Sequence, residues 1–565
     1  MAILNDEIIS YNLIYTGRRE SLIEAFLENG ITEYIFLNSL LIVVYVDRNF
    51  DDDIFDNIDQ VVWWESSYSM SSLIDITNNL SQGESALQAI DIFYMGNNLY
   101  SNLDGEGVVI ALIDSGIYYL NHDFINEDGS SKILYLWDQE SDYGLPPEGF
   151  LFGSEFNKDQ INEAIRDSNQ NLSNDQIGTG TIAAGIMVSE GKNNSNYRGI
   201  APKAELIVVK LRSYKSLFKE DRINYKNTDF LAAISYIIQK FKQILKPVII
   251  NFTVGTMSGR ENDHTLLNTF EELQQSGFIL VSGAGNQGNT DIHYSGNISN
   301  GEWVDIDFQV GDDENLSISI QGTEVDKLGV AIISPIGEIS TTVFYSPNFP
   351  IFTGRFNLEN VDYSISYNYP LIGTGALEII INLKNISSGI WTLRFIAEDV
   401  ISGEFNAYLP NKNLISENTR FIDSDSKSTI TRYGLMREVI TVGAYNTKYN
   451  SIWVGSSKAS DVFKDSILDI VAPGVDIVSN YLDNTFNTAT GTGVSSSIVS
   501  AVISLLIEFI ISQTNLYRLS IYSEPIKTYL MLGANQKDIY SYPNISYGYG
   551  VLDYERTLEQ ISENL

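Results

Sequence analysis

Hydrophobic and polar positions change rhythm along the chain, and each rhythm predicts a different kind of structure. Over residues 1–83 short runs separated by turns predict strands at 11–16, 32–37, 40–46 and 60–65, a helix at 19–28 and an acidic helix at 51–58. This β-α-β-β-α-β order recurs in many binding modules and says little about function by itself. From about residue 105 the apolar runs become continuous, within 108–113, 198–211 and 248–255, as in strands of a parallel sheet buried on both faces. Glycine-led turns at 178–185 and 489–498 open into helices of small and apolar residues, the second ending near 511. Between 298 and 414 the pattern alternates again, at 302–310, 315–321, 328–334, 362–368, 375–383, 389–397 and 405–409, with Gly, Asn, Asp and Pro turns between. That spacing predicts a β-sandwich set into an α/β protein. The expected segments are 1–83, 84–295, 296–427 and 428–565.

The continuous runs also carry the candidate chemistry. Val108-Val-Ile-Ala-Leu-Ile-Asp114-Ser-Gly ends a buried strand on a carboxylate, at the edge where α/β sheets place functional groups. Gly178-Thr-Gly-Thr-Ile-Ala-Ala-Gly185 and Ala489-Thr-Gly-Thr-Gly-Val-Ser-Ser-Ser-Ile498 are the helix-opening turns, and Val281-Ser-Gly-Ala-Gly-Asn286-Gln-Gly is a glycine-rich loop. Read alone, Asp114 is a solvated strand-end carboxylate and Asn286 a turn residue. The 178–181 turn lacks the ending and spacing of a phosphate loop.

In this order the segments resemble the subtilisin family, collinear over about 105 to 555 through 198–211, 248–255, 439–444, 468–474 and 548–553. The resemblance implies an α/β parallel-sheet core, with Asp114 at the retained acid position of the catalytic triad and Asn286 at the oxyanion position. It places Thr179 where the family has its general base His, and Gly493 where it has its nucleophilic Ser. A threonine hydroxyl does not accept a proton near neutral pH, and glycine has no side-chain oxygen. Ser495 and Ser496 point away from the nucleophile's face of the helix, and Ser497 returns to it one turn too far along. Of the three histidines, His122, His264 and His293, none lies in the Thr179 segment. The chain is therefore expected to be a degenerate serine protease and not an enzyme, with Asp114 and Asn286 vestigial or structural.

The first 83 residues then resemble the family's α+β (ferredoxin-like) prodomain, a folding chaperone and inhibitor that the enzyme cuts from itself. Without His and Ser the cut is not made, so the prodomain is expected to stay attached, with its tail near Ser81 to Glu84 in the cleft. A subtilisin core with a jelly-roll insert, carried by the 155 residues between Asn286 and Val442, resembles the Csp germination proteases of clostridial spores. Loss of both His and Ser looks most like that family's pseudoprotease members, CspC ahead of CspA. The resemblance implies a regulator that senses or relays germinant signals to an active Csp protease and on to the cortex-lytic hydrolase SleC. It implies sibling Csp proteins and the cortex-hydrolase pathway as partners, and bile acid, amino acid or calcium as small-molecule signals. Two other readings stay open: a structural or packaging partner of spore proteins, and a peptidase with unconventional residual activity.

Composition narrows the partners. With 72 acidic against 35 basic residues the net charge is −37, which disfavours nucleic acid and anionic membrane surfaces. The absence of cysteine removes disulfides and thiolate metal sites. No cofactor and no metal is expected. The N-terminus lacks a basic n-region and an apolar h-region, and runs such as 40–46 are too short to span a bilayer, so no membrane span and no signal peptide are expected. Localisation in the spore, in the cortex or coat region, follows from the resemblance.

Overall fold

The computed structural model describes residues 8–91, 103–257, 265–371, 375–461, 468–513 and 521–564. The N-terminal segment forms a four-stranded antiparallel sheet in the order Glu33–Phe36, Leu41–Asp47, Ile8–Tyr15, Val61–Ser66. Helix Arg19–Glu28 covers one face with Leu22 and Phe26, four residues apart and fully buried. The Leu41–Asp47 strand is buried on both sides. Ile42, Val44 and Val46 pack into the segment's own core, while Leu41, Val43 and Tyr45 pack against the central domain. That two-sided burial is why the run reads as continuous rather than alternating. The acidic stretch expected as a helix is the 3-10 turn Asp52–Asn57. Its Asp51 start gives no side-chain cap, and Asp and Asn are poor helix formers.

The central sheet has nine strands. Its path runs Ser154–Asn157, Ile133–Asp138, Glu205–Lys210, Val109–Asp114, Val248–Phe252, Phe278–Gly283, Val439–Asn446, Ser451–Ile452, and Ile470–Pro473 also pairs with Val439–Asn446. The pairings from Ile133–Asp138 through Val439–Asn446 and on to Ile470–Pro473 are parallel, and Ser154–Asn157 and Ser451–Ile452 are joined antiparallel. Helices Thr179–Val188 and Thr492–Gln513 share one core with Ile110, Leu112, Ile249 and Val281, and Asn227–Ile244 packs on the other face with Val109, Ala111, Ile113 and Ile250. Gly283 lets the start of the long helix approach the sheet: a Cβ there would meet the Thr492 carbonyl carbon at 2.8 Å. Among the described residues, Thr492–Gln513 is the one helix long and apolar enough to cross a membrane by length and composition, and 89% of its apolar window is buried in this core.

The insert is two facing antiparallel sheets. One has six strands in the order His293–Asn297, Glu404–Tyr408, Asn315–Gln321, Glu378–Lys384, Val361–Asn368, Ile351–Phe356. The other has four, Lys327–Ile333, Gly389–Asp399, Trp303–Val310, Arg420–Phe421. Phe308, Trp391, Phe395 and Phe405 fill the space between. All seven expected strands are present, within three residues at each end. His293–Asn297, Ile351–Phe356 and the two-residue Arg420–Phe421 were not anticipated. Ile351–Phe356 is an edge strand whose first three residues are all exposed, so no alternation marks it. His293–Asn297 begins upstream of the expected boundary at 296.

Candidate functional site

The site is built from loops at the C-terminal ends of the parallel strands. Asp114 closes the Val109–Asp114 strand and is completely buried rather than solvated. One carboxylate oxygen accepts from the Thr179 hydroxyl at 2.5 Å and from the Ser115 N–H at 2.6 Å, and the other accepts from the Thr253 hydroxyl. Burial pushes its pKa up to about 6, even though these three hydrogen bonds favour the anion. Thr179 is the first residue of its helix, and the turn before it reaches a left-handed φ of 94° at Gly178. Asp175 caps that helix, accepting from the N–H groups of Ile177, Gly178 and Thr181 at 3.2, 2.8 and 3.1 Å and from the Thr181 hydroxyl at 2.6 Å. Ser115 lies between the two carboxylates: its N–H bonds Asp114, and its hydroxyl, 2.9 Å from both Asp175 and the Thr179 oxygen, has one proton to give to either. The pocket assigned to the base is thus a closed network of hydroxyls and carboxylates.

Gly493 is the second residue of the long helix, and its N–H donates to the Leu73 carbonyl at 2.9 Å. A Cβ on Gly493 would lie 2.7 Å from Ile74 Cγ1 and 3.1 Å from the Leu73 carbonyl carbon. The peptide bond between Leu73 and Ile74 therefore lies against the position assigned to the nucleophile. The assigned oxyanion residue is turned to other work: Asn286 Oδ1 accepts from the Thr492 N–H at 2.9 Å and its hydroxyl at 3.0 Å, and Nδ2 donates to Asp75 at 3.3 Å. Asp75 has a raised pKa, from burial first and against its bonds to Asn286 and Asn413.

The residues crossing the cleft are knitted into it on both sides. Ser69–Ser72 pairs antiparallel with Ile223–Lys226 on one edge and Val254–Gly255 on the other, and the Leu73 N–H reaches the Thr253 carbonyl at 2.8 Å. Past the Leu73–Ile74 bond, Asp75–Ile76 pairs antiparallel with Phe486–Thr490. The expectation that Ser81 to Glu84 occupy the cleft is corrected: 69–76 do, and Glu84–Ser85 pairs with Ile477–Asn480 further along. The physical reason is side-chain content. Met70 and Leu73 are 0% and 1% exposed, whereas Ser81-Gln-Gly-Glu84 offers no apolar side chain to bury.

Ser495, Ser496 and Ser497 are fully buried and bonded to carbonyls. Ser495 donates to Ala472 at 3.0 Å, Ser496 and Ser497 to Gly493 at 3.0 and 2.8 Å, and Ser497 also accepts from Asn251 at 3.0 Å. His122 is exposed on a short 3-10 turn, and His293 sits in the sandwich between Asn406 and the Asp425 carbonyl. His264 lies outside the described residues. Among the described residues one group of carboxylates is close enough to hold a metal, Asp51, Asp52 and Asp53, and there Asp52 already accepts from Tyr11 at 3.1 Å.

A parallel-sheet core carrying Asp114, the 178–185 turn and the 491–498 helix start in this arrangement is that of a subtilase. The model of the subtilase family matches residues 105–349 and 411–550, and the chain belongs to that family. Its structure is similar to that of the CspB protease of Clostridium perfringens, with a TM-score of 0.74 and 27% identity over 85% of this chain and 98% of that one. The epidermin leader peptide processing serine protease of Staphylococcus aureus aligns at 14% identity and a TM-score of 0.49, covering 98% of both chains. Fervidolysin from Fervidobacterium pennivorans aligns at 12% identity and a TM-score of 0.48, covering 98% of this chain and 62% of that one. No curated protein matches the chain.

Proposed function

We propose that this chain is a catalytically silent member of the Csp group of subtilases, most like the pseudoproteases CspC and CspA, and that it regulates spore germination. In this reading it senses or relays germinant and co-germinant signals to an active Csp protease, and through it to the cortex hydrolase SleC. The observation that carries the reading is the Leu73 carbonyl seated on the Gly493 N–H, where no side-chain oxygen can reach it, with Thr179 bonded to Asp114. A serine protease needs a base to take the hydroxyl proton and an oxygen to attack the carbonyl. Here the side chain on Asp114 is itself a hydrogen-bond donor to it, and the carbonyl faces a glycine N–H. Held in cis, the segment keeps a local concentration of about millimolar at the cleft. A competing peptide is then excluded, and signalling falls to other surfaces.

Deletion of the gene in the spore-former, with complementation by the unaltered coding sequence, tests this. Spores lacking the protein are expected to respond poorly to germinant and to leave SleC unprocessed, and complementation restores both. Normal SleC processing and germinant response in the deletion strain overturn the proposal.

A further inference from the structure

Two separate sets of contacts tie the β-sandwich to the peptide in the cleft. The first is the run following the Glu404–Tyr408 strand. Asn411 Nδ2 donates to Ser71 Oγ at 2.8 Å and to the Gly255 carbonyl at 2.9 Å, so it staples residue 71 to its pairing partner. Asn413 Nδ2 donates to the Ser72 carbonyl at 3.4 Å and also bonds the Asp75 carboxylate. The same run is pinned to the sandwich by Asp313, which accepts from the Ser416 N–H at 2.7 Å and from the Thr419 hydroxyl.

The second set holds the hairpin of Tyr214–Lys215 and Ile223–Lys226, whose second strand pairs with Ser69–Ser72. At its tip the Glu314 N–H donates to the Phe218 carbonyl at 2.9 Å, Asn315 Nδ2 to the Leu217 carbonyl at 2.8 Å, and Lys219 pairs with Asp312 at 2.7 Å. Both sets converge on one turn, 312–315, between Trp303–Val310 of the four-stranded sheet and Asn315–Gln321 of the six-stranded sheet. The turn therefore joins the two layers of the sandwich and touches both supports of the cleft peptide.

We propose that the 312–315 turn is the relay through which the sandwich sets how tightly the cleft holds residues 69–76. Displacing the turn slackens the Asn411 staple and the hairpin strand together, so the segment opens locally while the parallel sheet stays folded. This rests on the reading of the cleft as permanently filled by its own chain and names how that occupancy is regulated.

Hydrogen–deuterium exchange on the full-length protein tests it. Asp313→Ala removes anchors that do not touch 69–76, and Asn411→Ala removes the staple itself. Each is expected to speed exchange over 69–76 about tenfold, as loss of a buried hydrogen bond or two predicts, with Val109–Asp114 and Phe278–Gly283 unchanged. Asn368→Ala, at the opposite end of the six-stranded sheet from the turn, is expected to leave 69–76 as in the unaltered protein. Unchanged protection of 69–76 in Asp313→Ala overturns the relay even where Asn411→Ala speeds exchange, and so does acceleration spread evenly over all elements. If Asp313→Ala does not fold, Asn315→Ala, which removes the turn's bond to the Leu217 carbonyl and likewise does not touch 69–76, decides in its place. An intact Leu73–Ile74 bond in these same samples leaves the pseudoprotease reading standing whatever the exchange shows.

Discussion

The two halves of the candidate site are filled in opposite ways. Around Asp114 the space assigned to an imidazole is closed by polar side chains, with Thr179, Thr253, Ser115 and Asp175 satisfying one another. Around Gly493 the side chain is simply missing, and the chain's own Leu73 and Ile74 fill the gap. The first half is a self-contained hydrogen-bond network; the second depends on a segment about 420 residues distant in sequence. A substitution near Asp114 should therefore be felt locally. A substitution near Gly493 should be felt as loss of the segment that spans the cleft.

The largest effect is expected from Leu73→Asp. It puts a carboxylate into a fully buried position with no partner, and a cost of about 3–5 kcal/mol is expected in chemical denaturation. A loss under about 1 kcal/mol would show that the segment is not packed into the cleft as described. The double variant Thr179→His, Gly493→Ser comes next. It returns both side-chain types, but the serine Cβ must fit 2.7 Å from Ile74 Cγ1 and the imidazole must displace a satisfied network. At most weak processing, with any cut after Leu73, is expected from N-terminal sequencing of the product. Efficient release of 1–73 would mean that only the two side chains separate this chain from an active enzyme.

Thr179→Val sharpens the other half. It keeps the shape and removes the donor to Asp114, so about 1–3 kcal/mol is expected, while exchange over 69–76 stays as it was. Accelerated exchange there would show that the halves are not independent.

The smallest effect is set by pH. Glu65, half-buried between the N-terminal segment and the core, accepts from Asn12 and Asn227 at 3.4 and 3.2 Å, and burial pushes its pKa up to about 7. Its pKa is higher folded than unfolded, so the folded state binds the proton more tightly. The stabilising proton is fully present below about 4.5 and lost as pH rises towards 7. Asp114, pushed up to about 6, acts in the same direction. Stability is expected to fall between pH 4.5 and 7, and Glu65→Gln to flatten this part of the curve by about 1 kcal/mol after solvent screening. An unchanged slope in Glu65→Gln would remove Glu65 as its source.

Much of this was legible from residues. The continuous runs within 108–113, 198–211 and 248–255 specify a two-sided parallel sheet, and the alternation from 302 to 409 specifies the sandwich strands. Asp114, Thr179, Asn286 and Gly493 stand out in the sequence because glycines lie beside each of them, and the structure sets all four at the C-terminal ends of the parallel strands or the helix starts that face them. Which peptide fills the cleft was not anticipated. Its signal is slight, Met70, Leu73 and Ile74 among serines, and it acquires meaning only when strands from residues 223 and 254 come to either side of it. Equally hidden was the 312–315 turn, whose Asp-Asp-Glu-Asn reads as an ordinary acidic loop until its partners at 217–219 and 416–419 are in place.

The most direct measurement is the intact mass of the purified full-length protein after incubation with a serine-directed phosphonate. A single unmodified chain, with residues 73 and 74 still joined, is the result predicted by Thr179 and Gly493. A chain cut after Leu73 together with a phosphonate adduct on any serine would contradict the claim that this subtilase is catalytically silent.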